Sequence, residues 1–136
     1  FKGDEFSISA DLNLNFLKIY DALQIIYRTD DKKFKIEGIE AIKFHKDIEN
    51  CHVIFDEVVL DIKKMFKSIE VTSKVTSRHE GDKVGKTMVT YQSITMPNND
   101  GVSISCYDWS KESGYWDQLR ISIRTFEYDN FLLTAY

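Results

Sequence analysis

The chain has 136 residues, 43% of them hydrophobic and 29% charged, with one proline and six glycines; that is one domain's worth of chain, able to bury roughly two-thirds of its unfolded surface, with little room for a disordered linker. A formal charge of −4 and a pI near 5.4 provide no field that would draw it to nucleic acid or an anionic bilayer. No apolar run approaches the roughly 20 residues of a membrane span, and the start at Phe1 fits a mature secreted or periplasmic protein after processing as well as a shortened chain.

Phe6, Ile8, Ala10, Leu12 and Leu14 alternate with Ser7, Ser9, Asp11 and Asn13, the period of a half-buried strand. Phe16, Ile19, Tyr20, Leu23, Ile26 and Tyr27 then recur at three- and four-residue steps, with Asn13 or Asn15 placed to cap, which predicts a short N-terminal helix over 16–28. The segment "LQIIYR" within it also suits a strand. "FKIEGIEAIKF", 34–44, reads as a strand with a bulge or bend at Gly38.

Asp47 is placed to cap a long amphipathic helix over about 47–66. Its apolar positions are Ile48, Cys51, Ile54 or Phe55, Val58, Ile62 and Met65 or Phe66, and Glu49, Asp56, Glu57, Asp61, Lys63 and Lys64 form its wet side. Early acids and late lysines complement the helix dipole. Strands follow: "IEVTSKVTS" from 69, "KTMVTYQSITM" from 86, "GVSISCYDW" from 101 and "QLRISIRT" from 118. "PNNDG" supplies the turn chemistry of a tight hairpin. "EYDNFLLTAY" reads as a terminal helix or a strand, the helix being preferred. The whole is expected to be a single α+β domain over 1–136, an antiparallel meander of four or more strands with the long helix and the shorter N-terminal helix packed on one face.

Strand alternation puts Val102, Ile104 and Cys106 on the core face and Ser103, Ser105, Tyr107 and Trp109 on the other. Leu119, Ile121 and Ile123 likewise alternate with Arg120, Ser122 and Arg124, so Tyr107 and Trp109 fall on or beside a face of serine and arginine. Cys51 on the helix stripe and Cys106 on the core face are positioned to meet. In an oxidising compartment they form a disulfide; in a reducing one they are two buried thiols acting as small hydrophobes.

His45, His52 and His79 lack metal-ligand spacing and read as surface residues, and no metal or cofactor is expected. Asp56, Glu57 and Asp61 read as a solvated helix face. "RHEGD", 78–82, gathers an imidazole and carboxylates in a loop, but an enzyme built there needs His79 beside a carboxylate in a cleft. With no phosphate cradle, nucleophile elbow or metalloprotease motif, a non-enzymatic protein is expected.

The distinctive stretch is "CYDWSKESGYWDQ", 106–118, which holds both tryptophans. Tyr107, Trp109, Tyr115 and Trp116 are residue types that dominate binding hot spots, and Ser110, Ser113 and Gly114 resemble the filler of binding loops. The alternative is a packing cluster that covers the sheet end. The leading expectation is a small secreted or periplasmic protein that binds another protein, in the manner of an inhibitor, an immunity protein or an accessory factor. The runner-up is a small-ligand module with an apolar pocket between helix and sheet. Edge strands leave room for a homodimer.

Overall fold

The computed structural model describes residues 6–9, 19–83 and 85–135. The described residues form eight strands and two helices: β1 (Phe6–Ser9), β2 (Ala22–Arg28), β3 (Ile36–His45), α1 (Ile48–Met65), β4 (Glu70–Val71), β5 (Val75–Arg78), β6 (Met88–Thr95), β7 (Gly101–Asp108), β8 (Asp117–Arg124) and α2 (Phe126–Ala135). The strands make one antiparallel sheet in the order β1-β2-β3-β8-β7-β6-β4, with β5 also paired to β6. Hairpins account for two runs of neighbours, β1-β2-β3 and β6-β7-β8. Pairing of β3 with β8, about 80 residues apart in the chain, joins the runs into an α+β fold.

The helix expected over 16–28 is corrected at 22–28, which form β2, a strand between β1 and β3; residues 16–18 lie outside the described residues, as do 10–14 of the first expected strand. The misreading has a physical source. Apolar residues occur on both faces of β2, Leu23 and Ile25 opposite Ala41 and Ile39, and Ile26 opposite Gly38, so the period-two signal is blurred. Register also shifts by one residue at Ile26/Tyr27, where Glu37 is the extra residue of a bulge beside Gly38. A Cβ at Gly38 would stand 2.9 Å from Ile26 Cδ1, which explains the glycine.

Glu37 is 1% exposed and well supplied with partners. Its carboxylate takes Arg28 Nε at 3.3 Å, Lys35 Nζ at 3.3 Å and the Thr125 hydroxyl at 2.5 Å. Burial acts to raise its pKa, but the Thr125 bond and the Lys35 and Arg28 charges outweigh it and hold the carboxyl below its ordinary value. The bulge thereby locks β2, β3 and the start of α2 together. α2 begins where Asp100 Oδ1 accepts Phe126 N–H at 3.1 Å, and its buried Tyr128 meets the ring of Phe6, centroids 5.0 Å apart. Gly101 lets this helix dock, since a Cβ there would fall 2.1 Å from Asp129 Oδ2.

Asp47 caps α1, accepting Asn50 N–H at 3.0 Å, and Glu49, Lys63 and Lys64 match the dipole. The helix buries Cys51, Phe55, Val59 and Ile62 against Ile94, Val102, Ile104, Cys106 and Leu119. Val59 therefore takes the central place expected of Val58, which is half-buried, and Met65 and Phe66 are exposed. Cys51 and Cys106 stand at disulfide distance, Sγ–Sγ 2.04 Å and Cα–Cα 6.0 Å, fastening α1 to β7. No described helix is long and apolar enough to cross a membrane.

Candidate functional site

The sheet face opposite α1 is a polar network, with more burial than a plain solvent face has. Arg120 donates to Gln118 Oε1 at 3.0 Å and to Glu40 Oε1 at 3.2 Å; Arg124 donates to Asp129, Ser103 and Ser122. Gln118 and Ser122 are buried within it. Tyr107 lies at one end of the network under the Arg120 guanidinium, 4.8 Å from its ring centroid. Burial pushes the Tyr107 phenol pKa up.

Tyr107 starts an aromatic column that leads off the sheet. Its ring stacks on Trp109 at 5.6 Å and 16°, Trp109 meets Tyr115 at 5.0 Å, and His79 leans on both Trp109 and Tyr107 at 5.2 and 5.8 Å. His79, expected at the surface, is half-buried among these rings, with its Nδ1 buried and unbonded among the described residues. The "RHEGD" loop thus contributes a packing ring.

The loop from 108 to 117 is held by bonds within it and by one to Thr87. Asp117 Oδ1 accepts Trp109 N–H at 3.0 Å, Ser110 carbonyl accepts both the backbone N–H and the hydroxyl of Ser113 at 3.0 and 2.7 Å, and Thr87 Oγ1 accepts Ser110 N–H at 3.1 Å. Lys111–Ser113 form a 3-10 turn that ends on Gly114 at φ 73, the left-handed conformation glycine tolerates. Lys86 and Glu112 pair across its outside.

At the tip this loop exposes Tyr115 by 65% and Trp116 by 58%. The four aromatic residues of the sequence reading therefore divide: Tyr107 and Trp109 are half-buried support, whereas Tyr115 and Trp116 form a ridge. A cleft of about 630 Å³ runs along one side, lined by His45, Lys46, Asp108, Trp109, Lys111, Tyr115, Trp116 and Asp117. A second of about 470 Å³ lies on the other side, between the ridge and Phe44, with Asp21 and Gln118 in its wall.

His45 and Asp117 were not legible as site residues. They are cross-strand partners at the ends of β3 and β8, a pairing that no local pattern announces. His45, expected at the surface, is 8% exposed, and its Nε2 is buried without a hydrogen-bond partner among the described residues. Burial and the Lys43 charge lower its pKa, against the opposing pull of Asp21, Asp47 and Asp117. Burial raises that of Asp117, opposed by the Trp109 amide bond. Among the described residues, no three His, Cys, Asp or Glu side chains gather closely enough to hold a metal ion.

No family model, no curated protein and no solved structure matches the chain. What the fold and the site define is a class by shape: an α+β domain with one helix fastened across an antiparallel sheet and an aromatic ridge between two clefts at the sheet's end.

Proposed function

We propose that the protein acts by binding another protein through the Tyr115–Trp116 ridge, without catalysis, in an oxidising compartment such as the periplasm or the extracellular space. The observation that carries this reading is the exposure of two adjacent large aromatic side chains on a loop otherwise tied down by hydrogen bonds. Exposed apolar area costs solubility, and a rigid loop holds its rings ready for a partner at little entropic cost. Trp and Tyr flanked by polar residues are also the composition of an interface centre. The Cys51–Cys106 pair supports the choice of compartment, since such bonds persist where thiols are not kept reduced.

The space between α1 and the sheet, where an apolar ligand pocket was the runner-up expectation, is filled by Phe55, Ile94, Ile104 and Leu119, all of them fully buried. This favours the ridge over the interior as the working surface.

The test is a photo-crosslinker, benzoylphenylalanine, in place of Trp116, compared with the same group in place of exposed Lys67, just past the C-terminal end of α1. Crosslinking is performed in the secreted and periplasmic fractions of the source cells. One protein adduct specific to position 116, and lost when Tyr115→Ala is added, supports the reading. Equal adducts at both positions, or none at 116, contradict it.

A further inference from the structure

α1 is narrower than the sheet it rests on. It packs on β7 and β8 and reaches β3 only at its margin, while α2 lies on the opposite face, where its Asp129 takes Arg124. Strand register shows what this leaves open. Leu119 and Ile121 face α1, and their face continues across the sheet through Ile123, Ala41 and Ile39 to Leu23 and Ile25. Ile39 and Ile123 are exposed on it. Beside α1, the strands β3, β2 and β1 span about 10–14 Å, the width of one helix with its side chains.

The outward side of α1 supplies the counterpart. Val53 and Leu60, two turns apart, point away from the buried stripe of Cys51, Phe55 and Ile62, and each is more than half exposed. Levels along the sheet agree as well. The disulfide pins α1 at Cys106, and the helix runs from there toward the Ile123 end of the sheet. Leu60 lies about 13 Å along the helix from Cys51, and Ile123 and Ile39 lie about 13 Å along the strands from the level of Cys106. A two-fold axis parallel to the strands keeps every residue at its own level, so it brings Leu60 of each copy over Ile25 and Ile39 of the other.

The charges match in the same arrangement. Lys43 stands on the open floor at the level of Leu119, its ammonium held by the Ile19 carbonyl rather than by a carboxylate. Glu57, exposed one turn beyond Val53 on the recess side of the helix, comes to Lys43 of the second copy. A helix from a different protein would cover the floor but leave Val53 and Leu60 in water. Self-association buries both apolar surfaces at once, which is the condition for an isologous interface.

We propose that the protein is a homodimer in which α1 of each copy fills the recess of the other, the two helices forming one shared layer between two sheets. The contact uses the sheet face and not its edges, and it does not rest on the ridge reading.

The test is sedimentation equilibrium of the disulfide-intact chain over a range of micromolar concentrations. Wild type is expected at twice the 15.9 kDa of the chain. Leu60→Glu and Ile39→Glu should each return the mass of a single chain while keeping the circular dichroism of wild type. If Ile39→Glu folds poorly, Leu60→Glu carries the comparison, because its side chain points to water in a single copy. Lys43→Glu and Glu57→Lys should each raise the dimer Kd about tenfold or more, and both together in one chain should restore it close to the wild-type value.

A single-chain mass at every concentration overturns the proposal, and so does a dimer that Leu60→Glu leaves intact. A double charge reversal that dimerises no better than either single one also overturns it. None of these results alters crosslinking at Trp116, so the two readings fail separately.

Discussion

His45 occupies the last position of β3, opposite Asp117, with its imidazole pKa lowered by burial and by Lys43. Its folded-state pKa lies below the ordinary value, so its contribution to stability is present above about pH 6.5 and is lost as pH falls through the lowered value. Asp117 runs the other way, since a raised carboxyl favours the folded state at low pH and loses that contribution as pH rises. That share is common to wild type and His45→Phe and largely cancels between them. His45→Phe should therefore melt at the same temperature as wild type or higher at pH 7.5, because an unpartnered buried nitrogen is removed. The gap should widen below pH 6.5, and scanning calorimetry across pH 5 to 8 measures it. A His45→Phe protein that melts well below wild type at pH 7.5 would make the imidazole a structural group.

The two tryptophans separate at the same scale. Trp109 is in ring contact with His79, Tyr107 and Tyr115, so Trp109→Ala should cost about 2–3 kcal/mol in urea unfolding. Trp116, 58% exposed, should cost about 0.5 kcal/mol or less when replaced by alanine. Equal losses at the two positions would place Trp116 in the packing column as well.

Among the elements, the loop between β7 and β8 turns a run of turn-forming residues into a rigid support. The sequence shows its composition but not the bonds that hold it, because the Trp109–Asp117 and Ser110–Thr87 contacts join residues 8 and 23 positions apart. Gly114 gives a direct check on the loop's conformation. Nothing stands within 4 Å of a Cβ built there, so Gly114→Ala should lose only the cost of a side chain at φ 73, about 1 kcal/mol in urea unfolding. A stabilising effect would mean that the turn has some other shape.

Element legibility follows burial geometry. β7 was readable because one of its faces is buried and the other polar, so Val102, Ile104 and Cys106 alternate cleanly with Ser103, Ser105 and Tyr107. β2 was not, because apolar side chains occur on both faces and a bulge interrupts its register. His45 was hidden for a related reason: its flank Lys46–Asp47 reads as surface, and its burial comes from strands distant in sequence.

At the scale of the molecule, the Cys51–Cys106 pair joins the only two layers that enclose the described core, α1 and the centre of the sheet. The two positions were visible from strand and helix periodicity, whereas their actual approach depended on where α1 crosses β7. A cross-link with a sequence separation of 55 constrains the unfolded chain substantially. Cys51→Ala with Cys106→Ala should lower stability by about 4 kcal/mol on the chain-entropy account. Native protein should also resist alkylation until it is reduced. Two alkylatable thiols in protein made under oxidising conditions would remove the bond and, with it, the argument about compartment.

In the binding proposal the ridge is a free surface standing on a packed aromatic support. Iodide quenching of tryptophan fluorescence tests it most directly, using the two single-tryptophan proteins Trp109→Phe and Trp116→Phe. The protein that retains Trp116 should emit to the red and quench readily, and the one that retains Trp109 should emit to the blue and resist quenching. Protected, blue emission from Trp116 would contradict it, because the ridge would then be part of the packing and the protein's binding surface would have to lie elsewhere.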